Sequence, residues 1–194
     1  MGVIVVTGIP GVGKTTVMKR AAEGLDMEFV TFGTVMIDIA KEMGLVKDRD
    51  EMRKLTLEQQ KELQIRSAEK VASMGNVILD THCTVKTPKG YMPGLPEWVL
   101  KKLKPTAIVI VEADPDEIYN RRAKDATRNR DPDSIEQIAE HQQINRSAAM
   151  AYATLTGATV KIVFNHDDAI DEAVKQAEPV VKCKRWIVML KVVR

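Results

Sequence analysis

The chain has 194 residues, 44% of them hydrophobic and 29% charged, with a formal net charge of +2. That length suits one well-buried α/β domain and is short for two, because domains run to roughly 100–200 residues. The composition matches ordinary globular usage, no apolar run reaches the roughly 18–20 residues that a bilayer crossing needs, and near-balanced charge gives no footprint for nucleic acid or an acidic membrane. Neither a nucleic-acid partner nor a membrane is therefore expected. The two cysteines, Cys83 and Cys183, are far apart in a chain with no expected cleavable signal, which fits reduced, non-catalytic thiols in a cytoplasm.

Short β-branched runs alternate with longer helical patterns, the signature of βαβ units and a parallel sheet covered on both faces. Strands are predicted at 3–7, 28–32, 76–80, 107–112 and 159–164, giving an α/β fold with a five-stranded parallel sheet and helices on both faces. Helices are predicted at about 14–24, 34–43, 56–73, 96–103, 115–124, 134–156 and 167–178. Thr56 can cap its helix, Gly24 and Gly75 can stop theirs, and Asp114-Pro115 sets a cap beside a proline with preset φ. The segment 179–194 arrives after the helix that closes the sheet, and its apolar run RWIVMLKVV reads as an added edge strand, a subunit contact or a sequence appended to the domain.

After the first strand, residues 8–16 read GIPGVGKTT. Gly8, Gly13, Lys14 and Thr15 meet the spacing GxxxxGK[ST] between a strand and a helix, the context that gives this motif its meaning. Glycine permits backbone shapes and close approaches that a Cβ would block, so successive N–H groups can surround a phosphate while the helix N-terminus adds its free donors. We assign Gly8, Ile9, Pro10, Gly11, Val12, Gly13, Lys14, Thr15 and Thr16 to a nucleoside triphosphate. Lys14 serves the β- and γ-phosphates, Thr15 the Mg²⁺ that bridges them, and Thr16 the α-phosphate. The sequence has no NKxD guanine-reading signature and no strand ending in a paired DE, which favours transfer to a bound acceptor over hydrolysis.

The strand at 76–80 ends in Asp80, followed by Thr81 and His82. In a parallel sheet this carboxylate emerges at the edge that carries the phosphate loop, where it can hold a water of the Mg²⁺ shell or cap a turn. His82 touches the acceptor or satisfies the loop. Residues 83–96 hold three prolines and two glycines and are expected to form an ordered but irregular loop at the active edge, its lysines and Tyr91 bordering a nucleoside. The cationic run RRAKDATRNRD at 121–131, with Arg146 on the next helix, reads as a short lid around 124–133 that closes over the triphosphate and excludes water. Gly33 and Thr34 open a helix whose N-terminus suits a second phosphate group, with Arg53 as its clamp.

The motifs GIPGVGKTT, FGTVM, DRDEMRKL, LDTHCTVKTPKGYMPGLP, RRAKDATRNRD and EHQQINRSAAMAYATLTGATVKIV together resemble the archaeal-type adenylate kinases, over residues 1–178. The resemblance implies reversible phosphoryl transfer from MgATP to AMP, giving two ADP, with a five-stranded core, an AMP side and a short lid. It also implies a homotrimer in the cytoplasm. Carried over by motif, Gly8 to Thr16 bind ATP, Asp80 supports the metal, and Arg128, Arg130 and Arg146 contact phosphate from the lid side. Lys14 and these three arginines form the expected catalytic set, Thr15 and Asp80 the metal set, and Gly33, Thr34, Arg53, Asp80, Thr81 and His82 the acceptor set. The bacterial segments TGDxLR and DGFPR are replaced here by FGTVM and DTHCT, so AMP contacts are not copied from that branch. A kinase for another monophosphate or small metabolite, or a non-catalytic ATP-dependent switch, are the rival readings.

Overall fold

The computed structural model describes residues 2–124 and 133–182. In chain order the elements are β1 (Val3–Thr7), α1 (Lys14–Ala21), β2 (Glu28–Thr31), α2 (Phe32–Glu42), a 3₁₀ turn (Asp50–Lys54), α3 (Leu57–Ser73) and β3 (Val77–Asp80). There follow β4 (Thr84–Thr87), β5 (Gly90–Pro93), α4 (Glu97–Leu103), β6 (Ala107–Glu112), α5 (Pro115–Lys124), α6 (Ile135–Thr156), β7 (Thr159–Phe164) and α7 (Ile170–Lys182).

Alternation along the strands divides the interior into two cores. Val3 and Val5 of β1 join one and Ile4 and Val6 the other, as the period of two in a strand requires. The whole of β1, β3 and β6 is buried, so these strands lie in the middle of a sheet covered on both sides. Among the described residues the large sheet has five strands, all parallel, in the order β2-β3-β1-β6-β7. The first core packs α2, α3, α4 and α6 through residues such as Ile39, Leu63, Leu100 and Tyr152; the second packs α1, α5 and α7 through Met18, Ile118 and Ala177.

Helix starts follow local chemistry. Thr56 and Ser134 each form a capping box with the glutamine three residues on, Gln59 and Gln137, which satisfies two donors that the first turn leaves free. β2 ends one residue earlier than its alternation suggests: Phe32 enters α2 and is buried, which places Gly33 and Thr34 within the first turn of that helix.

The expectation of an irregular loop over 83–96 is corrected. β4 and β5 pair as an antiparallel hairpin with Thr84 opposite Pro93 and Lys86 opposite Tyr91. Its turn is closed by Thr87, whose hydroxyl donates to the Gly90 carbonyl at 2.7 Å and accepts from the Lys89 N–H at 3.2 Å. Pro93 is tolerated because it ends an isolated pair, where a missing N–H breaks no central ladder.

Helix α7 runs through Pro179 to Lys182, four residues past the expected end, because Val180 and Val181 are buried in the second core. Residues 125–132, which hold most of the expected lid with Arg128 and Arg130, and residues 183–194 lie outside the described residues.

Candidate active site

The register brings the carboxyl ends of the central strands to one edge: Val6 pairs with Asp80, and Asp80 with Thr31. At that edge the chain leaves β1 through Gly8. Its φ is +149°, and a Cβ there would lie 2.4 Å from the Val111 carbonyl oxygen of β6, so the turn requires glycine. The loop then runs to Gly13, and α1 begins at Lys14.

Two side chains grip the loop from outside. Arg122 of α5 donates from Nε to the Pro10 carbonyl at 2.8 Å, and Asn165, directly after β7, donates from Nδ2 to the Val12 carbonyl at 2.8 Å. Because a trans peptide points its C=O and N–H in opposite directions, holding these carbonyls outward leaves the N–H groups of Gly11 and Gly13 for an anion. Asn165 is itself fixed by donating its N–H to Glu112 and by receiving Arg121 Nη2 on its carbonyl.

Asp80 joins two residues of the loop motif. Lys14 Nζ stands 3.5 Å from Oδ1, and the Thr15 hydroxyl donates to Oδ2 at 3.0 Å. Thr81 is buried and ties back to β1 through its N–H on the Val6 carbonyl. His82 follows with an exposed edge; crowding by protein atoms and then the Lys14 ammonium push its imidazole below the ordinary value of 6.5, with Asp80 opposing. At neutral pH it is an uncharged hydrogen-bonding group. Cys83 is buried, donates to the Asn145 carbonyl and has its thiol pushed up to about 12 by burial, so it acts as packing.

The arginines divide. Arg146 of α6 forms a two-pronged pair with Glu112, whose side chain is only 2% exposed while 40% of Arg146 remains open. That hydrogen bond raises the pKa of the guanidinium and aims it at the sheet edge. Arg53 is largely exposed and pairs with Asp50 on its own 3₁₀ turn at 2.9 Å. It is the Arg49 guanidinium that stands beside Gly33, 3.5 Å from where a Cβ would project.

A cleft of about 210 Å³ opens beside the phosphate loop, walled by Pro10, His82, Lys86, Arg122, Asp133 and His141 among others. Glu112, Asn165 and Asp133 are site-edge residues that the sequence reading does not single out, and it takes Lys86 and Arg122 only as members of the 83–96 lysines and of the cationic run. The rule that found Asp80, a polar group closing a β-branched strand, also points to Glu112 and Asn165. Nothing local marks Arg122 among its cationic neighbours.

The parallel sheet, the glycine loop with Lys14 and Thr15 at its helix, and the strand-end carboxylate that joins them define a P-loop kinase. A family model described as AAA domain matches residues 7–139. Solved structures with this fold include shikimate kinase from Acinetobacter baumannii in complex with shikimate, at TM-score 0.54 and 17% identity over 95% of each chain. A shikimate kinase from Bacteroides thetaiotaomicron matches at TM-score 0.53 and 16% identity, over 94% of this chain and 99% of its own. Among curated relatives, an adenylate kinase of Methanopyrus kandleri is 57% identical over 180 residues, 90% of this chain and 94% of the relative. One of Methanocaldococcus jannaschii is 54% identical over 188 residues, 93% of this chain and 98% of the relative. The chain belongs to the adenylate kinase family.

Proposed function

We propose that the protein catalyses reversible transfer of the γ-phosphoryl group of MgATP to AMP, giving two ADP. The observation that carries this reading is the convergence of Lys14 and Thr15 on Asp80 at the lip of the glycine loop, in a chain of this family. Residues Gly8 to Thr16 hold the triphosphate, and Lys14 offsets charge on its β- and γ-oxygens.

The Thr15 hydroxyl and the Asp80 carboxylate offer oxygen donors only, a hard set that fits Mg²⁺, and they are the residues that would hold it. When bound, Mg²⁺ neutralises charge on the phosphate oxygens. An oxygen of the AMP phosphate attacks the γ-phosphorus as the bond to the β-bridging oxygen breaks. That oxygen is already ionised at neutral pH, because the second pKa of a phosphate monoester is about 6, so no base is needed and a neutral His82 is a positioning group.

We assign the acceptor phosphate to the first turn of α2, with Gly33, Thr34 and the Arg49 guanidinium beside Gly33 in the place expected of Arg53, which pairs with Asp50, and the acceptor's approach to Thr81 and His82. Arg146, held by Glu112, and the motif residues Arg128 and Arg130 complete the cationic side. Water exclusion by the 124–133 segment, a single kinase domain that extends past the expected end at 178 through Lys182, a homotrimer and a cytoplasmic setting belong to the same proposal. Among the described residues no helix is long and apolar enough to cross a membrane.

The test mixes the protein with MgATP and each nucleoside monophosphate and follows diphosphate formation, with Lys14→Ala as control. Fast, Lys14-dependent conversion of AMP alone is expected. Preferential turnover of another acceptor would move the substrate assignment, and ATP binding without turnover of any acceptor would overturn the kinase reading. Sedimentation velocity of the same sample tests the trimer.

A further inference from the structure

The β4–β5 hairpin has two unlike faces. Lys86 and Tyr91 are cross-strand partners and share a face with Thr84, while Val85 and Met92 pair on the other. The first face is anchored to α6. The Thr84 hydroxyl donates to Asn145 Oδ1 at 2.6 Å and meets His141 Nε2 at 3.1 Å, and the Tyr91 ring packs on His141 at 4.9 Å between centroids. At the base of the hairpin the Cys83 carbonyl accepts from the Gly94 N–H and the Tyr152 hydroxyl, each at 2.8 Å. These bonds make the hairpin a fixed arm whose side chains are placed in advance of any ligand.

On that face Lys86 reaches Asp133, Nζ to Oδ1 2.6 Å. The second oxygen of the same carboxylate holds Arg122 Nη1 at 2.9 Å, and Arg122 Nε holds the Pro10 carbonyl of the phosphate loop. A chain of polar contacts thus crosses from the hairpin to the loop, and its three charged members wall the same cleft as His82. One carboxylate shared by an ammonium and a guanidinium leaves a net positive charge there, beyond that of Lys14. The donors that grip Asp133 are those that suit a phosphate oxygen. The hydrogen bond to Asp133 raises the pKa of Lys86, so its ammonium stays charged and donates without giving up a proton.

We propose that Lys86 is a catalytic residue that contacts the transferring phosphoryl group from the hairpin side of the cleft, and that Asp133 is the positioning residue that sets Lys86 and Arg122 for it. The inference rests on the kinase reading. During transfer one P–O bond forms as another breaks, with no proton moved by Lys86, and charge spreads over the three equatorial oxygens of the phosphoryl group. A cation held beside them gains most in that state, so its removal lowers kcat more than it raises KM.

The test compares Lys86→Met, Lys86→Arg and Asp133→Asn in the full chain, measuring kcat and KM for MgATP and AMP, with urea unfolding of each variant. Lys86→Met is expected to lose about 10²-fold in kcat, the size seen when one preorganised transition-state donor is removed, with both KM values within about threefold. Lys86→Arg recovers most of that loss because it keeps the charge, and Asp133→Asn falls between wild type and Lys86→Met, with the wild-type ratio of the two KM values. A Lys86→Met kcat within about twofold of wild type, or equal impairment of the Met and Arg variants, overturns the role of Lys86. Wild-type turnover of AMP in the same assay separates the two ideas: its absence removes the kinase reading and this inference together, whereas its presence beside an unimpaired Lys86→Met removes this inference alone.

Discussion

The phosphate loop and the β4–β5 hairpin border one cleft and are built by opposite means. The loop is a local object: one stretch of sequence carries its glycines, its lysine and its threonine, and distant residues only brace it. The hairpin is short and isolated from the large sheet, and its placement comes from Asn145, His141 and Tyr152 on a helix some 60 positions away in sequence. A local motif reads clearly in a single chain because its spacing is the signal. An arm held by scattered side chains leaves no such pattern.

Removing the charge of the loop tests that difference most strongly. Lys14→Ala is expected to cut kcat by about 10³-fold, since it deletes the partly buried ammonium, paired with Asp80, that we assign to the phosphates; steady-state ADP formation measures it. A loss below about tenfold would show that the hairpin side carries most of the catalysis.

Backbone substitutions come next. Gly8→Ala sets a Cβ 2.4 Å from the Val111 oxygen, and Gly94→Ala sets one 2.0 Å from the His82 oxygen. Each is expected to cost about 2–4 kcal/mol in urea unfolding. They separate in binding: Gly8→Ala weakens MgATP, and Gly94→Ala spares MgATP while lowering kcat through the hairpin. Equal loss of MgATP affinity in both would erase the distinction between the two regions.

A smaller change acts on the anchor alone. Thr84→Val keeps the shape but leaves Asn145 and His141 without their shared hydroxyl, at an expected cost of about 1–3 kcal/mol. We expect MgATP affinity to be retained and kcat to fall, measured by calorimetry and turnover. Thr84→Ser, which restores the hydroxyl, should recover stability.

The smallest effect is in pH. His82 and His141 are both held below the ordinary imidazole value of 6.5, His141 chiefly by burial and His82 by burial and Lys14. Below that value the unfolded chain binds more protons than the folded one, so the stability gained from the neutral rings is complete above 6.5 and is lost as pH falls through their folded values. The urea midpoint should therefore fall from about pH 7.5 to about pH 5.5, and the double variant His82→Gln, His141→Gln should flatten the slope. Asp133 is also shifted: burial alone would raise its carboxyl, but bonds from Lys86 and Arg122 hold it low. Its loss belongs to a more acid window, below the ordinary carboxylate value of 3.8. An unchanged slope in the double variant would assign the imidazoles no part in folding.

The three central strands and the phosphate loop are legible because burial on both faces forces continuous apolar runs and because GxxxxGK[ST] has fixed spacing, while the half-exposed edge strands β2 and β7 are legible from their place in the βα alternation. Asp80 was legible by its place at a strand end. The 83–96 hairpin is not legible because prolines and glycines signal turns, and here they mark its ends while the pairing lies between them. Arg49 and Arg53 sit in the same charged stretch, and only the fold brings Arg49 to Gly33.

The sequence by itself determined the sheet, the anion cradle and the family, each written in short-range pattern: alternation, motif spacing and strand-end chemistry. Tertiary structure alone decided which side chains meet. Glu112 orients Arg146, Arg122 and Asn165 turn the loop's carbonyls outward, and Asp133 joins Lys86 to Arg122. Each of these contacts joins elements that are separate in sequence, and their geometry is set only when both cores close on the sheet.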